Sequence, residues 1–197
     1  MFTTQNTTSL YRAIAILTVL WAIMAVYVFA AVKKTYAKNG TFTNKLLNWW
    51  FAMWGVFFSA LALSALYGVW LLPIDKTAAL VAGLVLFVAG IVLLAVGMME
   101  FRTLRRSCAQ DTSKLITGGI YRWSRNPQFI GCLLYLTGIS LAGRSIFAFA
   151  LTAAASIVIY WYTVSLAEPY LERLYGEGYR RYKKRVSRWF GIASKNR

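Results

Sequence analysis

Four stretches of this sequence, residues 13–32, 49–72, 78–99 and 146–166, are apolar and almost free of charge. A run of about 18 or more such residues can cross the hydrocarbon core of a bilayer as a helix. Lipid offers no water to backbone N–H and C=O groups, so a spanning segment must satisfy them internally. Each run therefore predicts a membrane helix, and the chain as a whole an all-α, polytopic membrane protein. A fifth apolar stretch, residues 129–142, is shorter; at ~1.5 Å per residue it barely reaches across. Gly143 and Arg144 separate it from the long run that follows, which predicts a C-terminal helical hairpin with a short or tilted first arm. About five transmembrane helices are expected, and four with a re-entrant hairpin is the alternative.

Charge placement predicts orientation, because short loops rich in Lys and Arg stay in the cytoplasm. With five crossings, one side holds Lys33, Lys34, Lys38, Lys45, the Arg and Lys residues between Arg102 and Arg125, and the basic tail. The other side holds Arg12, Lys76 and Arg144. The N-terminus is expected outside and the C-terminus in the cytoplasm. The first run is too long for a signal-peptide core and ends on Lys33 and Lys34, so it is expected to be a retained helix. The same bias, with attraction to anionic lipids, accounts for the net charge of +16 without nucleic acid. Charged residues make up only 14% of the chain, against about a quarter in soluble domains. There is no histidine, which argues against Cys/His zinc sites, histidine-ligated haem and histidine-rich di-iron sites. Cys108 and Cys132 are too few and too isolated for a disulfide framework, so no metal and no structural disulfide are expected.

The chain reads as a single membrane domain in two parts. Residues 1–99 carry three helices joined by short links. Residues 100–197 carry the hairpin between two polar, basic segments. Trp49, Trp50 and Trp54 near one end of the second helix, and Trp70 at the other, have the positions of interfacial anchors. Gly83, Gly90 and Gly97 repeat every seven residues on the third helix, a smooth face that either packs closely on another helix or borders a ligand cavity. A hairpin returns the chain to the side it left, so the two basic segments should meet at one end.

The first of these segments holds Gly118-Gly119-Ile120-Tyr121 and then Arg125-Asn126-Pro127-Gln128-Phe129. The glycines allow a sharp turn and close approach to a ligand. Pro127 suits the first turn of the following helix, with Asn126 at the N-cap. Free N–H groups there, with the Arg125 guanidinium, suit a carboxylate. In the second segment Glu168 lies where the last long run ends, and either pairs with Arg125 or holds a ligand ammonium. Glu172 is expected to be a solvated partner of Arg173 or a nearby Lys.

Together these residues resemble the signature of the isoprenylcysteine carboxyl methyltransferase and phospholipid N-methyltransferase superfamily of integral membrane enzymes. That signature is a Gly-x-Tyr turn, Arg-His-Pro-x-Tyr and a Gly, then a Glu-Glu pair, a Leu, a Phe-Gly and spaced tyrosines. Gly119-Ile120-Tyr121, Arg125-Asn126-Pro127-Gln128-Phe129 and Gly131 follow the first half; Glu168, Leu171, Tyr175-Gly176, Tyr179, Tyr182 and Arg188 follow the second. Asn126 replaces the histidine, which removes any proton relay there, and Ala167 replaces the first glutamate. The resemblance implies S-adenosylmethionine in a cytoplasmic pocket at the helix ends and methyl transfer to a lipid or membrane-accessible acceptor, either a phospholipid amine or an isoprenylcysteine-like carboxylate. It makes residues 100–197 the catalytic region. Arg125 or the helix start at Asn126 would hold the donor's carboxylate and Glu168 its ammonium. Gly118, Gly119, Tyr121 and Pro127 would shape or line the cofactor site. Tyr179 and Tyr182 would close it or simply pack, and Arg185 and Arg188 would contact the cofactor or a lipid head group. Two other classes share parts of the pattern: an NADPH-dependent membrane sterol-type reductase, and a non-catalytic membrane protein with a lipid-binding basic tail.

Overall fold

The structure is a computed structural model and describes residues 4–191. The end of the basic tail lies outside them. Eight α-helices follow one another among the described residues: α1 Thr4–Ala37, α2 Asn44–Leu66, α3 Lys76–Met99, α4 Leu104–Ser107, α5 Pro127–Ala142, α6 Ile146–Tyr162, α7 Glu168–Tyr175 and α8 Glu177–Arg185. A 3-10 turn spans Gly119–Arg122, and a π-helical segment, Thr163–Ala167, joins α6 to α7. α1, α2, α3 and the continuous stretch Ile146–Tyr175 are long and apolar enough to cross a membrane; α5 is apolar but shorter.

Each long helix buries one stripe and gives the rest to lipid. On α1 the stripe is Ile14, Trp21, Ala25, Val28, Val32 and Tyr36, while Ile16, Val19, Ile23 and Val26 face outward. α3 goes further: its buried residues are Ala79, Gly83, Gly90 and Gly97. The seven-residue glycine repeat is therefore a packing face, and α5 is what it packs on. The helices run antiparallel in a fixed register. A Cβ on Gly83 would lie 2.6 Å from the Gly138 carbonyl oxygen, one on Gly90 2.6 Å from that of Gly131, and one on Gly97 2.9 Å from Gln128 Cγ. Gly131 and Gly138 answer from α5, so two backbones meet without side chains between them, as membrane helices do where small residues align.

α2 ends at Leu66, six residues before the apolar run does. Gly68 and Trp70 take positive φ there, and the chain turns to pair with the α5–α6 corner. Leu72 N donates to Arg144 O, Ile146 N to Trp70 O, and Ser145 Oγ to Val69 O at 2.8 Å. Asp75 then caps α3, accepting from Ala78 N at 2.7 Å. The expected tryptophan anchors divide: Trp49 and Trp70 are exposed, but Trp50 and Trp54 turn inward and join an aromatic cluster with Phe29, Phe42, Phe57 and Tyr162. The 100° step between successive helix residues sends Trp49 and Trp50 to different faces.

Lys76 and Arg144 lie at one end of the bundle, and the connections that carry most of the basic residues gather at the other. α1 arrives there and α2 leaves; α3 arrives and α5 leaves; α6 arrives and continues into α7 and α8. The two polar segments that flank the hairpin meet at that end: Tyr182 Oη donates to Tyr121 O at 2.8 Å, and Arg125 N to Ser187 O at 3.0 Å.

Candidate active site

Glu168 is delivered by the π-helical segment. Its extra residue per turn rotates the helix just before Glu168, and such segments recur at functional sites. The carboxylate points inward and is 4% exposed. Arg188 grips it with two hydrogen bonds, Nε to Oε1 at 2.8 Å and Nη2 to Oε2 at 2.9 Å. Arg125 approaches from the other side, Nη1 to Oε1 at 3.2 Å. The pairing of Glu168 with Arg125 is thus present, and Arg188 is a second, stronger partner 20 residues along the chain.

Arg125 is not exhausted by this. Its side chain is 7% exposed, yet its buried Nε and Nη1 make no aligned hydrogen bond. Arg125 lines a cavity of about 180 Å³ together with Tyr36, Tyr121, Asn126, Tyr162, Tyr170 and Tyr179, among others. A buried guanidinium with spare donors is costly unless something meets them, and a carboxylate has the matching geometry.

The neighbouring residues hold this arrangement rigid. Asn126 sits at the start of α5 but does not cap it with its side chain; Nδ2 instead donates to Arg188 O at 3.1 Å, and its N–H is taken by Ser124 Oγ at 3.0 Å. The Asn126 N–H is therefore already partnered and is not free to meet an anion. Gly119 has φ +50° and lies against the Glu100 carboxylate, so a side chain there would be strained and would displace that carboxylate. Tyr121, Arg125, Asn126, Glu168, Tyr179 and Tyr182 surround the cavity, whereas Gly118, Gly119 and Pro127 lie outside its wall. At the rim, the N–H and hydroxyl of Ser113, and then Arg106, hold the Asp111 carboxyl down at about 2. Glu172 pairs with Arg180 and Lys183 of α8, not with Arg173, whose guanidinium donates to Tyr36 O at 3.1 Å.

Burial pushes the Tyr179 phenol up to about 12, with the Glu168 carboxylate adding to the shift and Arg125 opposing it. Burial raises Tyr121 and Tyr182 as well. The site therefore presents neutral phenols throughout the physiological range. An unfolded phenol titrates near 10. Stability contributed by Tyr179 is complete below that pH and is lost as the pH rises toward 12. Thermal melts across an alkaline series should stay level to about pH 10 and fall above it, in step with phenolate absorbance.

A second cavity, of about 340 Å³, adjoins the first. It is apolar and lined by Phe42, Trp50, Trp54, Phe58, Leu94 and Met98 from the first half of the chain and by Cys132 and Tyr135 from the second. α2 and α3 make little contact with one another, so the cavity lies where the bundle is open toward lipid. Ser107, Ala109, Gln128, Phe129 and Tyr162 belong to the walls of both cavities. Tyr36 and Tyr170 carry no motif in the sequence, and Gln128 falls on the unspecified position of one; their place in the site comes from helix packing.

Fold and site define a polytopic helical membrane protein that collects its buried charge at one end of the bundle, beside an apolar chamber. Residues 78–178, from the start of α3 into α8, match the sequence profile of phospholipid methyltransferases, and the chain belongs to that family. Phosphatidylethanolamine N-methyltransferase B of Dictyostelium discoideum is 29% identical over 60 residues, a stretch that is 30% of this chain and 30% of that protein. No solved structure matches.

Proposed function

We propose that this protein transfers a methyl group from S-adenosylmethionine to the amine of a phospholipid head group. The observation that carries the reading is the pair of abutting cavities, one with the buried charges of Arg125 and Glu168 in an otherwise largely apolar wall, the other apolar and set between α2, α3 and α5. The residues fit the donor: Arg125 Nε, buried without a partner, suits its carboxylate, and Glu168 Oε2, engaged only by Arg188 Nη2, has a lone pair left for an ammonium. When bound, S-adenosylmethionine supplies a methyl group already activated on a sulfonium. The chain's own tasks are then to position the two partners and exclude water, with little acid–base chemistry. That suits a site without histidine, in which Asn126 serves as a strut. Family membership favours a phospholipid acceptor over an isoprenylcysteine carboxylate. The basic residues of the site end favour a cytoplasmic position for it under the positive-inside rule.

The test is thermal stability of the detergent-purified protein with S-adenosylhomocysteine, with NADPH alongside. A ligand bound only by the folded state adds about 2.7 kcal/mol at a hundredfold excess over Kd. Stabilisation by S-adenosylhomocysteine is expected, followed by transfer of labelled methyl to phosphatidylethanolamine in mixed micelles. Stabilisation by NADPH instead would move the protein to the reductases. Arg125→Lys keeps the charge but loses the planar fork. It should weaken S-adenosylhomocysteine roughly ten- to hundredfold, read as a rightward shift of the same stability titration.

A further inference from the structure

We infer that the side-chain amide of Gln128 binds the acceptor head group at the passage between the two cavities, an inference that rests on the function proposed above. If the donor occupies the polar cavity and the lipid the apolar one, the reacting atoms meet at the wall the cavities share. That wall has few polar side chains. Tyr162 Oη is engaged with Tyr36 Oη at 3.0 Å, and Ser107 Oγ donates to Leu104 O at 3.0 Å. Ala109 and Phe129 have none. Gln128 is different: its Nε2 is buried and makes no hydrogen bond in the protein.

The fold holds that amide in place. Gln128 is the second residue of α5, directly after Pro127, so its backbone is fixed by the first helical turn. Its stem rests on Gly97 of α3, where a Cβ would come within 2.9 Å of Cγ. The last glycine of the α3 repeat thus does more than admit α5: it leaves the space through which Gln128 reaches the junction. A buried amide donor left unpaired costs about 1–3 kcal/mol, and a bound head group would supply the missing partner.

An amide also suits the chemistry. It donates and accepts at once and carries no charge. Its oxygen can take an N–H of a neutral amine while its nitrogen donates to an ester or phosphate oxygen of the same lipid. The acceptor nitrogen, having released its proton to water, forms a bond to the methyl carbon with its lone pair. The carbon–sulfur bond breaks, the electron pair leaves with sulfur, and the positive charge passes to nitrogen. A carboxylate at position 128 would favour the protonated, unreactive amine, and a cation would oppose the new charge; the amide does neither.

Gln128→Met, close in length and shape, and Gln128→Ala test this in the full-length protein. Both variants should be stabilised by S-adenosylhomocysteine like the wild type, which establishes that they fold and hold the donor side. With phosphatidylethanolamine as the varied substrate, KM should rise roughly tenfold or more, the loss expected when a buried polar partner is removed. A second readout needs no turnover. Cys108 and Cys132 both line the apolar cavity, so phosphatidylethanolamine should slow their alkylation by N-ethylmaleimide. In the variants that protection should require roughly tenfold more lipid. If the wild type is not stabilised by S-adenosylhomocysteine, the function proposed above is wrong. If the wild type binds and methylates normally, while the variants keep their KM and their protection within about twofold, the assignment of Gln128 is overturned.

Discussion

Replacing Glu168 by alanine is expected to abolish S-adenosylhomocysteine binding and to lower the melting temperature by roughly 6–20 °C. The carboxylate is 5% exposed at its side chain and lies between two guanidiniums, of which Arg125 is 7% exposed. Its removal leaves Arg125 buried with no counter-charge among the contacts described here, and breaking a buried ion pair from one side costs about 3–5 kcal/mol. The effect should spread along the chain. Arg188 would be released, and Arg188 O is the acceptor for both Ser124 Oγ and Asn126 Nδ2. Glu168→Gln separates charge from shape: it keeps the hydrogen-bond acceptor but not the negative charge. It should lie between wild type and alanine in stability and still lose most donor affinity. A glutamine variant with wild-type affinity and rate would remove Glu168 from the donor site and leave it a structural ion pair.

Gly90→Leu should be the most damaging single change within the membrane part. A Cβ at Gly90 would lie 2.6 Å from Gly131 O and overlap Tyr135 N, and both of these are backbone atoms of a helix. Backbone cannot yield as a flexible side chain would, so α3 and α5 must move apart. We expect a loss of at least about 3 kcal/mol, above the usual range for overpacking. Activity should fall together with stability, because α5 starts at the site and carries Gln128 and Phe129 into the shared wall. Gly55→Ala on α2 is the control: nothing lies within 4 Å of its Cβ. It should raise stability by about 0.5–1 kcal/mol, the ordinary gain on replacing a helical glycine. If Gly90→Leu melted and worked like the wild type, the close α3–α5 packing would be wrong.

The readings that held and those that failed divide along a physical line. The start of α5 followed from local chemistry: Pro127 opens the helix as its fixed φ requires. The readings that failed concerned the direction of a side chain in the assembled bundle. Trp50 and Trp54 look like interfacial anchors in the sequence and are inner-wall residues in the fold. Asn126 has the residue type and position of a cap, yet its amide serves the loop after α8. Glu172 was expected to meet Arg173 or a nearby Lys; it meets Lys183, with Arg180, because α8 folds back to bring both to it.

By itself the sequence determined that the chain is helical and embedded, and that the two polar segments lie at one end of a hairpin. Long uncharged runs leave the backbone no other way to satisfy itself in lipid, and a hairpin has only one geometry for its ends. It also determined the family, through an ordered set of residues around Arg125 and Glu168. The tertiary structure decided which partner each buried polar group meets. Tyr36 reaches Tyr162 across 126 residues of chain, Arg188 reaches back to Glu168, and Gln128 is aimed by a glycine on another helix. No local propensity encodes such meetings. They arise because helices buried on narrow stripes can pack in few registers, and the register sets which side chains face one another.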